Sequence, residues 1–252
     1  MNAKMKVLSL ALVGMFGYVG SAMAACPTGP TTAEGGAWTA KSVSPGSSVA
    51  IATPGLDGSE CKLDAAIAGS LTGTATVSYT HAASEPSYRF QFLVNPDALG
   101  SFSLTDSVGV FRANASTPAN GSSNALQVNL VAGSGGTRRV RFNAACNVPA
   151  SSFRCTAATS TNLPAGVARI EGKLTFGAGA AGKLDVWVNA AAGSTEPATT
   201  LSISNLDNAA WAGVGQATLG LANPSVPYKN AHANQVVGFD RFDSRRQTYI
   251  GW

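Results

Sequence analysis

Charge is scarce in this chain: Asp, Glu, Lys and Arg together make up 12% of its 252 residues, against roughly 25% in ordinary globular domains. Lys and Arg number 17 and Asp and Glu 13, a small excess that excludes nucleic acid as a main partner, since phosphate binding needs a clear basic footprint. Histidine is rarer still, with His81 and His232 alone. No Cys-x-x-Cys occurs, and the acidic residues, including Asp57, Asp97, Asp106, Asp240 and Asp243, follow no calcium-ligand spacing, so no metal and no other cofactor is expected. The absence of a Gly-x-Ser-x-Gly elbow and of a His-Glu-x-x-His pair removes serine-hydrolase and zincin chemistry. The apolar run from Val7 to Val19 is too short to cross a bilayer, so no integral membrane span is expected in the mature protein.

That run has another reading. Lys4 and Lys6 precede it and Ser21-Ala22-Met23-Ala24-Ala25 follows it, the basic start, apolar middle and small residues of a secretory leader. Residues 1–25 are therefore read as a signal peptide and residues 26–252 as one exported domain, periplasmic or extracellular. Without Lys4 and Lys6 the balance falls to 15 against 13, close to neutral. Gly, Ala, Ser, Thr and Asn take the surface positions. The four cysteines, Cys26, Cys61, Cys146 and Cys155, are an even number in an exported chain and read as disulfides. Three pairings are possible. Sequence proximity favours Cys26 with Cys61 and Cys146 with Cys155, contributing roughly 4 and 3 kcal/mol by loop closure. Met23-Ala24-Ala25-Cys26 is similar to a lipobox with Met in place of Leu, which would instead commit Cys26 to lipid.

Alternation with period 2, punctuated by Gly, Pro, Asn and Ser, recurs through the mature chain, and no long capped helical period appears. The clearest strand is Tyr88 to Val94, with Tyr88, Phe90, Phe92 and Val94 on one face. Ile170, Leu174 and Phe176 alternate with Arg169, Glu171, Lys173 and Thr175, and Leu184, Val186 and Val188 with Asp185, Trp187 and Asn189; a turn over Ala178 to Ala181 makes these two a hairpin. Val140 and Phe142 alternate with Arg139 and Arg141. Further strands are read at 48–53, 62–67, 75–81, 108–114, 126–132, 201–206, 217–221 and 235–242, with a short helical turn at 208–211. Stretches 117–124 and 190–198 read as exposed loops. About a dozen strands, few or no helices and no βα alternation predict an all-β, two-sheet antiparallel sandwich.

Three segments, Tyr88 to Pro96, the Arg169 to Asn189 hairpin and Val237 to Ser244, resemble secreted bacterial members of the concanavalin A-like lectin and glucanase superfamily, which implies a jelly-roll sandwich. Glucanases of that superfamily carry Glu-x-Asp-x-x-Glu, because retaining hydrolysis needs two carboxylates about 5 Å apart; that run is missing here. Lyases on the same scaffold use an Arg-rich strand, a Gln-x-His strand and a Tyr-containing strand to neutralise a uronate and move a proton. Tyr228 to Gln235 echoes the last of these, and no Gln-x-His is present. No residue is therefore assigned to catalysis. The expected ligand contacts are Trp187, facing away from Leu184, Val186 and Val188 as a platform for a sugar ring, with Asp185, Asn189, Arg169, Glu171 and Arg89 around it. Arg89, Arg139, Arg141 and Arg169 also fall on polar rows, which suits either convergence on an anionic glycan or solvated strand faces that discourage edge pairing. The functional expectation is a non-catalytic protein binding carbohydrate or a cell-envelope glycan, with a pilus-like adhesive subunit and a diverged polysaccharide hydrolase or lyase as alternatives.

Overall fold

The computed structural model describes residues 25–69, 73–148, 154–190, 195–245 and 248–250; the expected leader lies outside the described residues up to position 24. Fourteen strands follow in chain order: β1 (Ala40–Val43), β2 (Ser48–Ala52), β3 (Lys62–Ala66), β4 (Thr74–Glu85), β5 (Ser87–Asn95), β6 (Ser107–Ala119), β7 (Ser122–Ala132), β8 (Arg138–Asn147), β9 (Arg154–Asn162), β10 (Ala168–Thr175), β11 (Gly182–Val188), β12 (Leu201–Leu206), β13 (Val214–Ala222) and β14 (Val236–Arg245). One helix, α1 (Val226–His232), lies between β13 and β14. The first sheet runs β1-β4-β13-β6-β7-β8-β9 and the second β12-β11-β10-β5-β14-β3-β2, all neighbours antiparallel. The all-β sandwich expected from the alternation is the fold.

The core fills the space between the sheets. Tyr88, Phe90, Phe92 and Val94 of β5 point into it and are fully buried, and Phe90 stacks on Phe111 of β6 across the sandwich with ring centroids 4.3 Å apart. The inward row of β10 contains Gly172 for a packing reason: a Cβ there would come within 2.5 Å of the Phe90 ring. Burying aromatic area of this kind supplies most of the gain on folding, at about 25 cal/mol per Å². The disulfides pair as proximity favours, Cys26 with Cys61 and Cys146 with Cys155, the second crosslinking β8 to β9.

Two local readings change. Thr117 to Asn124 is not a loop, because Asn120 and Gly121 both take positive φ, 49° and 75°, and make a two-residue hairpin turn whose twist suits the flanking strands. Pairing therefore continues to Ala119 opposite Ser122. The run from Tyr228, whose lone histidine, His232, is expected from its Pro227, Asn230 and Asn234 neighbours to lie in a loop, instead opens as a helix that His232 ends. Ser225 caps that helix, its side chain accepting from the Tyr228 amide, and Pro227 stands in the first turn, where its missing N–H costs nothing.

Candidate functional site

The residues expected to touch ligand do share one surface, the outer face of the second sheet. Register sets Glu171 of β10 beside Gln91 of β5 and Trp187 of β11, and Lys173 beside Arg89 and Asp185. That face is closed. Trp187 is 1% exposed and Arg89 and Glu171 are 0% exposed. Segments 195–200 and 248–250 reach over it: the Trp187 indole N–H donates to the Pro197 carbonyl at 2.9 Å, and the Ile250 amide donates to Glu171 Oε1 at 3.1 Å. The Arg89 guanidinium lies 4.8 Å from the Trp187 ring centre and 5.4 Å from that of Tyr249, 3.4 Å from Glu171 Oε1 and 2.7 Å from Glu196 Oε2. Arg169 is buried too, donating to Gln91 Oε1 and to the Ala190 carbonyl. Asn189 is exposed but turns its Oδ1 to the Arg169 amide, and Asp185 accepts from Ser202 and pairs with Lys183. Trp187 therefore offers no open platform. The four arginines do not converge either, because β5 and β10 belong to the second sheet and β8, with Arg139 and Arg141, to the first.

The outer face of the first sheet has a different composition. Facing residues run in a line across five strands: Ser78 on β4, Thr218 on β13, Arg112 on β6, Gln127 on β7 and Asn143 on β8. A parallel line holds Ala222, Gly109, Asn129, Arg141 and Ser160, and a third Val131, Arg139 and Asn162. Thr74, Thr76, Thr80, Gln216 and Asn114 complete these rows. Asp and Glu are absent from them, and so are Tyr, His and Lys. Arginine is the one titratable type in these rows among the described residues.

Two glycines open a hollow in it. Gly220 holds φ at +117°, where a Cβ would lie 2.3 Å from the Ala75 carbonyl oxygen, and Gly109 lies beneath the amides, its notional Cβ 3.3 Å from Asn129 Oδ1 and 3.4 Å from Gln127 Nε2. The hollow measures about 190 Å³ and is lined by Arg112, Gln127, Thr76, Thr218 and Asn223, among others. Arg112 Nε, Asn129 Oδ1 and Arg139 Nε are buried without a hydrogen-bond partner among the described residues. Arg112 forms no ion pair among the described residues, and burial holds its guanidinium below the usual arginine range. Buried polar atoms are normally satisfied, and a carboxylate arriving at this hollow would satisfy Arg112 Nε: the guanidinium fork matches two carboxylate oxygens, and the Gln127 side-chain amide adds a neutral donor beside it.

Sequence reasoning passed over Arg112, Gln127 and Asn129. Gln127 and Asn129 do alternate with Leu126, Val128 and Leu130, a signal present in the strand read at 126–132.

No family model matches the chain, and no curated relative does. Solved structures do match in fold. An endo-β-1,4-glucuronan lyase from the fungus Trichoderma reesei superposes with a TM-score of 0.65 at 11% identity, over 88% of this chain and 94% of its own. A variant of the alginate lyase Aly36B, with a lysine and a tyrosine replaced by alanine and an alginate tetrasaccharide bound, gives 0.56 at 11% identity over 90% and 95%. The alginate lyase vAL-1 from Chlorella virus gives 0.53 at 13% over 86% and 96%. The chain shares their sandwich. None of the three is a lectin or an envelope subunit, and with these enzymes as its neighbours in fold the expectation of a non-catalytic role is corrected.

Proposed function

We propose that this chain is a secreted polysaccharide lyase with a diverged site, a member of the concanavalin A-like superfamily that acts on a uronate-containing polymer laid across the outer face of the first sheet. One observation carries the proposal: that face sets Arg112 and Gln127 in a hollow, with Asn129 opposite Gly109 in the adjoining row, and has no carboxylate in its rows. The sandwich shared with glucuronan and alginate lyases supports it, and the two disulfides suit an oxidising compartment outside the cytoplasm.

Elimination from a uronate begins with loss of the C5 proton, which places negative charge on the C6 carboxylate. The bond between C4 and the glycosidic oxygen then breaks as C4 and C5 become doubly bonded. Arg112 and the side-chain amides of Gln127 and Asn129 stabilise the charge as it forms, the kind of donor whose removal costs roughly 10² to 10³ in rate elsewhere. No tyrosine, histidine or lysine stands in the rows to take the proton, so hydroxide takes it from C5 and water returns one to the leaving oxygen. A positioned base adds roughly 10² to 10⁴. The protein is thus slower than a lyase that owns a base, by about that factor, and its rate climbs with pH instead of levelling at a side-chain pKa.

The test incubates the mature, oxidised protein with alginate, with glucuronan and with a neutral β-glucan, and follows the ultraviolet absorbance of the unsaturated product. Release above the protein-free rate from the two uronate polymers alone, rising with pH and lost in Arg112→Ala, is expected. Binding of either polymer with no unsaturated product at any pH overturns the proposal.

A further inference from the structure

A second cavity, of about 560 Å³, opens between the sheets at their β1 and β2 edges, away from the arginine face. Its volume falls in the range of small-molecule sites, roughly 300 to 1,000 Å³. Leu63, Leu219 and Phe239 line its inner part, and Trp38 and Phe242 pack against each other on its wall with ring centroids 4.8 Å apart. The rim mixes signs: Lys62 and Arg241 stand with Asp240 and Asp243, and Lys62 already pairs with Asp64 and Arg241 with Asp57. Neither a net anion nor a net cation is favoured there.

Two polar rings face the same space. Tyr79 is 42% exposed, high for an aromatic residue on an inward row. His81 packs edge-on to it at 5.3 Å and sets Nε2 3.3 Å from the Tyr88 hydroxyl. The other ring nitrogen of His81 has no partner among the described residues. Burial lowers the imidazole pKa, against a smaller opposing pull from Glu85, so the ring is neutral near pH 7 and presents one donor and one acceptor. Burial also pushes the Tyr88 phenol up, keeping it protonated beside the histidine.

We propose that this cavity binds an uncharged phenol-type molecule, its ring against Trp38 and Phe242 and its hydroxyl on the free nitrogen of His81. A hydroxyl both donates and accepts, so it fits either tautomer of the imidazole. Aromatic walls reward a flat ring beyond its buried area, and the mixed rim selects against carboxylates and amines. This site is separate from the arginine face and does not depend on its assignment.

The probe is 2-naphthol, titrated into the oxidised protein and read by its own fluorescence and by calorimetry. One saturable site is expected, weakened at least tenfold by His81→Phe and abolished by Ile51→Trp, which fills the half-buried wall, while Arg112→Ala binds as the wild type does. Melting curves report whether each variant is folded, and His81→Phe alone suffices if Ile51→Trp is not. Unsaturable partitioning, or equal affinity in wild type and His81→Phe, overturns the site.

Discussion

The outer faces of the two sheets both carry arginine, with opposite results. On the second sheet, Arg89 and Arg169 are sealed beneath chain, and Arg89 meets two carboxylates and two aromatic rings. On the first, Arg112 stands in a hollow with uncharged neighbours and no carboxylate in its rows. An arginine that already has its anions is structural. An arginine left among amides has its anion still to come, and on that difference rests our proposal that ligand binds the first face.

The largest effects that sharpen this contrast are on stability. Glu171→Ala leaves the Arg89 guanidinium buried with only the half-exposed Glu196 for charge, and should cost about 3 to 5 kcal/mol in urea unfolding; Glu171→Gln, which keeps an oxygen for the Ile250 amide, should cost less. Trp187→Ala should lose a similar amount, about 3 to 5 kcal/mol, through its cavity, while leaving uronate binding unchanged per folded molecule. A Trp187→Ala variant that melted like the wild type but lost glycan affinity would reverse the two faces. Arg112→Ala should do the opposite, costing less unfolding free energy than either of these while cutting elimination by roughly 10² to 10³. Smallest is the effect of pH on binding itself. Arginine is the sole titratable type in its rows among the described residues, so affinity for a polyuronate should stay flat from about pH 5 to pH 9, while added salt weakens it. A step in affinity near pH 6.5 would implicate a histidine and break the assignment.

Much of the fold was legible because alternation reports directly on burial. The β5 row, the β10 to β11 hairpin and the inward Gly172 follow from period 2 alone. What covers a face is another matter. Trp187 does point away from the core, as its spacing implies, but the chain that buries it comes from segments 195–200 and 248–250, which no local pattern ties to β11. Arg112 was hidden by a different cause. The register between β6 and β7 shifts between Gly109 and Phe111, so Val108, Val110 and Phe111 are all buried and the extra residue breaks the alternation just before Arg112. Even the regular row of Gln127 and Asn129 becomes informative only when strand pairing sets Arg112 directly across from Gln127.

The crosslink between Cys146 and Cys155 joins residues that stand opposite each other in the ladder of β8 and β9. Because β9 is the last strand of the first sheet, its far edge offers unpaired amides to any passing strand, the usual template for aggregation. A slip of β9 by a single residue would exchange its two faces, turning Ser160 and Asn162 inward and disordering the border of the arginine rows. The sulfur bridge admits one alignment only. Export to an oxidising compartment, on this view, does more for the protein than toughen it: it selects the strand alignment that completes the arginine rows, the face proposed here for an anionic polymer, and a chain kept reduced would be prone to stick to its neighbours.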